Sequence, residues 1–502
     1  MSNSDVKTEA PASTISKFGT DLTVGSIPRH LFFFSLPLLA GNFIQAAYTI
    51  VNRIWVGRYL GPDDLAAITT TMQLAFILIA VANGVTIAAN ILISQFVGAK
   101  NWAGVRKVVQ SSVLVVGLLS LVLLGIGQLV TVPLLHAINT PPTVFPLAEG
   151  YMRLFICTFP LIFWSFLFAF MLRGVGDSIT PLIFQAIGVV INAVLDPLFI
   201  LGWFGFPKCG LNGAIYATII AQGITLAAFL SYLHFKKHPI SPDWRHLRAD
   251  WATSKLMLTI GLPAATQQLL VSVGTSMMLL FINDYGKDAT AGFGAASMVD
   301  MVAFFIAMSF SMAITSIAGQ NIGAKRFDRV RQIFWWGILF SGVLMGITSL
   351  LTVSFPNQLM NMFVDNSKEI NVAAHNIGVS YLSIVGWAYI CFAVMFVCVG
   401  IINGAGHTMV TTIMTLFGLW IVRIPLAWYL SHKYHDVRAI WWTLAIGFFV
   451  SMSLSLVYYI SGLWRKSIFK PKGPPIKLPE ADAATECLIT GEPDDGAVGE
   501  KC

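Results

Sequence analysis

Ser94-Gln95-Phe96-Val97-Gly98-Ala99-Lys100-Asn101 returns, about half a chain later, as Gly319-Gln320-Asn321-Ile322-Gly323-Ala324-Lys325-Arg326. The shift is 225 residues from Gly98 to Gly323, 226 from Pro37 to Pro263, and 230 from Gly174-Val175-Gly176 to Gly404-Ala405-Gly406. A near-constant shift across three landmarks means that the chain is built twice. In a strongly apolar chain such duplication predicts two membrane bundles related by an axis along the membrane normal, with a substrate pathway where they meet. Transport is therefore the first functional expectation.

The composition places the chain in a bilayer. Hydrophobic residues make up 56% and charged residues 11%, with mean hydropathy +0.74, whereas charged residues are about a quarter of an ordinary soluble domain. A span needs about 20 mostly apolar residues. Such stretches are read at 30–57, 66–93, 107–135, 149–172, 180–203, 211–235, 254–282, 290–318, 330–355, 372–401, 408–431 and 439–464. The predicted fold is an all-α polytopic membrane protein, twelve transmembrane helices in two pseudo-symmetric six-helix bundles. Its expected parts are a polar N-terminal cytoplasmic segment (1–27), the first bundle (28–237), a polar linker (238–253), the second bundle (254–465) and a disordered acidic tail (466–502).

Lys and Arg collect on the cytoplasmic side of short loops. One set of turns holds Lys100, Arg106, Lys107, Lys236, Lys237, Lys325, Arg326, Arg329 and Arg465, while the opposite set carries Asp63, Asp64, Asp284, Asp288, Asp365 and Glu369. Both termini are expected in the cytoplasm of a plasma-membrane protein, the bacterial inner membrane if the source is bacterial. The same loops account for the net charge of +7, so no nucleic-acid partner is implied. The six cysteines form no CxxC pair, and no bound metal or cofactor is expected. The polar N-terminal segment lacks the short apolar core of a cleaved signal.

Ionisable residues inside spans cost about 2.5–3.5 kcal/mol each even on a lenient insertion scale, which makes them functional candidates. Asp196, within Val190-Ile191-Asn192-Ala193-Val194-Leu195-Asp196-Pro197-Leu198, has Asn192 four residues earlier on the same helical face. An amide and a carboxylate so placed suit a proton or a small cation, and Pro197 leaves the carbonyl of Ala193 without its helical donor. The plainer alternative is an acid near the outer interface satisfied by water. Asp300 is a second intramembrane acid, read equally as a coupling group or as a carboxylate bonded to a neighbouring helix. Arg423 reads as structural, pairing with carbonyls or an acid between helices, and Arg53 as snorkelling to the interface. Pro37 and Pro263 stand at matching places in the first span of each half, where they kink a helix.

Leu172-Arg173-Gly174-Val175-Gly176-Asp177-Ser178-Ile179-Thr180-Pro181, together with Gly319 to Lys325, Trp55-Val56-Gly57 and Asn192 to Pro197, resembles the multidrug and toxic compound extrusion (MATE) transporters over residues 28–465. The resemblance implies a V-shaped cavity between bundles that alternate between inward-open and outward-open states, with efflux driven by inward sodium or protons. It also implies a cation site of two Asp, one Asn and one Thr in the first bundle. Asp196, Asn192 and Thr218 match three of these, and Pro37 matches the proline whose bending accompanies gating. At the fourth place the usual Asp is Asn52, which removes a full charge from the cage and tilts the expectation toward protons.

The reading that follows is a proton- or sodium-coupled antiporter exporting bulky amphipathic or cationic compounds, drug-like molecules or metabolites, with the lipid bilayer as its surroundings and no obligate protein partner. A flippase for lipid-linked precursors shares the duplicated architecture and would be favoured by a cavity lined with several Arg. A non-transport membrane scaffold is a weaker alternative. An enzyme is not expected, because neither a Walker-type loop nor HExxH is present in the sequence.

Overall fold

In the computed structural model, residues 19–138, 140–364 and 369–465 are described. The acidic tail at 466–502, most of the polar N-terminal segment, Asp365 and the side chains of Arg53 and Glu369 lie outside them. Among the described residues there is no strand. Twelve apolar elements follow one another when one bent pair is taken as a single span. They are α1 (Ile27–Tyr59), α2 (Pro62–Gly98), α3 (Trp102–Ala137), α4 (Phe145–Cys157 and Phe159–Val175), α5 (Ile179–Leu201), α6 (Leu211–Phe235), α7 (Trp251–Asn283), α8 (Lys287–Gly323), α9 (Phe327–Ser354), α10 (Val372–Gly404), α11 (Thr408–Tyr434) and α12 (Val437–Ile460). All twelve expected spans have a counterpart, six in each half.

Local chemistry explains where these helices begin and bend. Asn101, Asp250 and Asp436 cap α3, α7 and α12, accepting from Gly104 N at 2.9 Å, Thr253 N at 2.9 Å and Arg438 N at 2.8 Å. The Asp250 carboxyl, held by the Thr253 hydroxyl and amide, lies below the usual carboxylate range. The two parts of α4 meet at Thr158 with a 46° bend, beside Pro160, which has no amide hydrogen to donate. In α11, Leu416–Arg423 widens to a π-helix just before Pro425, a proline that leaves the carbonyl of Ile421 without its donor.

The duplication is written into the backbone. Lys100 and Lys325, 225 residues apart, both adopt the left-handed region (φ 54° and 60°), as do Gly176 and Gly406 (φ 98° and 89°). The first pair makes the sharp turns from α2 to α3 and from α8 to α9. Small residues let the repeats approach one another closely: a Cβ on Gly98 would stand 1.8 Å from Gln320 O, and one on Gly323 would stand 2.0 Å from Gln95 O. The two copies of the repeated octapeptide thus cross each other at the end of the molecule that carries Lys100 and Lys325, here called the basic end.

α1 straddles the bundles. Ile27, Leu31, Phe34 and Leu38, with Leu22 before them, are buried in a core whose other members come from the second half of the chain, Phe310, Ile314, Ile333 and Phe334 among them. Four residues past Pro37 the helix also meets the first half, where Gly41 O accepts from Gln185 Nε2 of α5 at 3.1 Å. Asn42 Nδ2 still reaches back to Ser309 Oγ of α8 at 3.0 Å.

Candidate functional site

Asn192 and Asp196 project from one face of α5, as the four-residue spacing predicts, and both are buried, with Asp196 fully so. The Asp196 carboxyl is therefore shut off from bulk solvent. In the amide orientation that matches every partner, Asn192 Nδ2 lies 2.9 Å from Asp196 Oδ1 and 3.1 Å from Oδ2, and its oxygen accepts from Thr218 Oγ1 at 3.0 Å. Thr218 is fixed on α6 by its 2.8 Å contact to Ala214 O. The same Asn192 nitrogen lies 2.9 Å from Tyr48 Oη, and Asn52 Nδ2 donates to that oxygen at 3.1 Å. α1, α5 and α6 therefore bring Asp196, Asn192, Thr218 and Asn52 into one network, with Asn52 joined through Tyr48 rather than directly to the acid.

Two features of this network decide its chemistry. First, Lys, Arg and His are absent from it, and among the described residues Asp196 takes part in no ion pair. A carboxylate withdrawn from water without a counter-charge is costly unless it takes a proton or a cation. Second, Asn52 Oδ1 is buried with no hydrogen-bond partner, an orphan acceptor beside the cluster. Carboxylate, amide, hydroxyl and phenol oxygens are the hard donors that alkali and alkaline-earth ions prefer. Sequence reasoning misses Tyr48, although its position four residues before Asn52 on α1 is a legible signal.

The second half holds a different cluster. Asp300 on α8 accepts from Tyr381 and Tyr389 of α10, one hydroxyl to each carboxylate oxygen, so the neighbouring-helix alternative for Asp300 describes its bonding. Both tyrosines are buried, and Trp441 packs edge-on against Tyr381 at 4.9 Å. Arg423 interacts electrostatically with Tyr381 and stacks on Phe448 with its guanidinium carbon 4.2 Å from the ring centre. The expectation that Arg423 pairs with carbonyls or an acid is corrected in this respect. Its Nε is buried without a partner, and the aromatic face takes the place of an anion. The partners of Asp300 lie 81 and 89 residues away, beyond any helical spacing.

Pro37 and Pro263 both lie inside their helices. Pro37 stands between Phe34 and Leu38, both buried in the second core, on the same helix that carries Tyr48 and Asn52. The carbonyl of Pro263 accepts from Thr412 Oγ1 of α11 at 2.7 Å.

A family model described as MatE matches residues 37–198 and again 263–429, one match for each repeat. The chain belongs to the MatE family. It is similar to the probable multidrug resistance protein YoeA of Bacillus subtilis, with 33% identity over 445 residues, covering 88% of this chain and 95% of that protein. It is also similar to the FAD transporter of Shewanella oneidensis, at 24% identity with 80% and 87% covered. Among solved structures, a MOP superfamily transporter from Pyrococcus furiosus superposes with a TM-score of 0.82 at 21% identity, covering 90% of this chain and 98% of that one. The MatE chain described here thus has the fold that the resemblance implied, and the two matched segments coincide with the internal duplication.

Proposed function

We propose that this MatE transporter exports bulky amphipathic or cationic small molecules from the cell by alternating access, driven by protons or sodium entering at Asp196. The observation that carries the reading is the fully buried Asp196 carboxyl, met by neutral groups alone. Occupancy by a positive ion and occupancy by none differ by a full charge inside a low-dielectric bundle, an energy difference large enough to bias two arrangements of the helices around it. Asn192, Thr218 and Asn52 supply the other oxygens, and Pro37 is the bend through which α1 responds. The multidrug label of the Bacillus relative supports drug-like cargo, and the plasma membrane with both termini inside is the matching location.

The lipid-precursor alternative gains little, because Arg173 and Arg423 stack on Phe170 and Phe448. Purified protein in liposomes, given an imposed proton gradient or an imposed sodium gradient singly, tests the proposal. Dye movement under one gradient and none without either is the expected result. Equal movement with no gradient would remove the coupling assignment, and movement of lipid-linked sugars without dye would favour the flippase.

A further inference from the structure

The basic end is closed by reciprocal bonds between the repeats. Gln95 Nε2 of α2 donates to Gly404 O at 2.7 Å, and Gln320 Nε2 of α8 donates to Gly174 O at 2.9 Å. Each glutamine reaches a glycine in the last turn of a helix of the other half. For a substrate path to open here, both bonds must break.

A second closure lies over the first. Residues 19–26 run across the basic end before entering α1. Thr20 N donates to Gly176 O of the first half at 3.2 Å, and the backbones touch so closely that a Cβ on Gly176 would stand 2.3 Å from Thr20 O. Gly19 also lies close against Val175 O of the first half, and side-chain bonds from the second half hold the strap. Leu22 N donates to Gln320 Oε1 at 3.1 Å, Asn321 Nδ2 to Leu22 O at 3.1 Å, Arg326 Nη1 to Thr23 O at 2.8 Å and Arg329 Nη1 to Gly25 O at 3.0 Å. Leu22 is fully buried in the second core. Gln320 therefore serves both closures, its nitrogen holding Gly174 and its oxygen holding the strap. A cleft of about 290 Å³, lined by Thr20, Leu22, Phe34, Asp177 and Tyr232 among others, leaves one flank of the strap loosely packed.

We propose that residues 19–26 are a latch that stabilises the state closed at the basic end and must peel away from Gln320, Asn321, Arg326 and Arg329 for the other state to form. The latch is continuous with α1, which carries Tyr48 and Asn52 into the Asp196 network, so an event at that site has a covalent path to it. The inference rests on the alternating-access reading above, yet its first test needs neither substrate nor gradient.

With the natural cysteines replaced, Ser94→Cys places a thiol in the closed end, where Ser94 is fully buried. Adding Arg326→Lys and Arg329→Lys keeps the charge but loses the guanidinium geometry that reaches the strap carbonyls. An impermeant maleimide applied from the basic side should then label the introduced thiol about fivefold faster, the effect of weakening two charge-assisted bonds. In a second experiment, Thr23→Cys and Arg326→Cys joined by a short cleavable bis-maleimide should lower dye export in liposomes by about tenfold or more, with recovery on cleavage. Unchanged labelling of the Ser94→Cys thiol overturns the latch, and so does full-rate export by the bridged protein. Labelling that rises as expected in a protein that exports no dye keeps the latch and sinks the export reading instead.

Discussion

The two bundles carry intramembrane acids in different settings, Asp196 fully buried and Asp300 partly so. In the first, Asp196 is met by the Asn192 amide and, through Asn192, by a threonine hydroxyl and a phenol, with no positive side chain. In the second, Asp300 sits between two tyrosine hydroxyls, and one of those tyrosines also interacts with Arg423. The two places correspond under the internal repeat: Tyr381 follows Tyr151 by 230 residues and Pro425 follows Pro197 by 228. Near the same proline, then, one bundle presents an acid and the other an arginine. In the second cluster both oxygens of Asp300 already accept hydroxyl hydrogens, and Arg423 faces one of the two tyrosines. In the first, Asp196 meets a single amide, and among the described residues no hydroxyl or positive side chain reaches it directly. On the coupling proposed above, the difference assigns the ion to the first half, although both contain an intramembrane acid.

Asp196→Asn gives the largest expected effect, because the amide abolishes the charge while keeping shape. Gradient-driven dye export in liposomes should fall about 100-fold, near the upper range of site-to-site coupling, with thermal unfolding in detergent little changed. Export at the parental rate would end the distinction between the bundles. Asp300→Asn should behave in the opposite sense, leaving substantial gradient dependence intact.

Arg423→Leu sharpens the other side of the comparison. It removes the positive charge beside Tyr381, one of the two hydroxyl donors to Asp300, at a cost of about 2 kcal/mol in stability after discounting for its partly exposed position and indirect contact. Unfolding should shift down by several degrees, and Asp300→Asn added to Arg423→Leu should restore part of the loss. A double variant as unstable as the sum of the single ones would show that Arg423 acts through its stacking on Phe448 alone.

The legible and illegible parts of the molecule divide on the same physical line. The spans, the duplication and the Asn192 and Asp196 pair are readable because they depend on spacings within one helix or on repetition along the chain. Thr218 and Asn52 come through the resemblance, and Tyr48 is available from its i to i+4 relation with Asn52 without being singled out by it. Tyr381 and Tyr389 are out of reach, since only tertiary packing brings α10 to α8. The stacking of Arg423 is hidden for the same reason. Residues 19–26 offer no apolar periodicity, so nothing in that polar segment discloses that Leu22 is buried or that Arg326 and Arg329 grip its neighbours.

Asn52→Asp would restore the acid that the family resemblance expects and make the two bundles still less alike. A second carboxylate near Asp196 adds a full charge to the cage, and its oxygen is the one now left without a partner. Sodium dependence of export should strengthen about tenfold in apparent affinity, the scale of one added charge at a partly screened site. No change in sodium dependence would place Asn52 outside the ion's coordination.

Tyr48→Phe asks the smallest question, whether the phenol only spaces α1 from α5 or transmits between them. Its oxygen lies 2.9 Å from Asn192 and accepts from Asn52 at 3.1 Å, so the variant breaks the polar link from α1 to the α5 acid while keeping the ring. Loss of about 1 kcal/mol of hydrogen bonding should slow export a few-fold and leave the choice of driving gradient unchanged, because both Asp196 oxygens stay in place. A change in which gradient drives export would instead put the phenol among the ion's own ligands. Full-rate export would mean that Pro37 and the backbone of α1 carry the motion without that link.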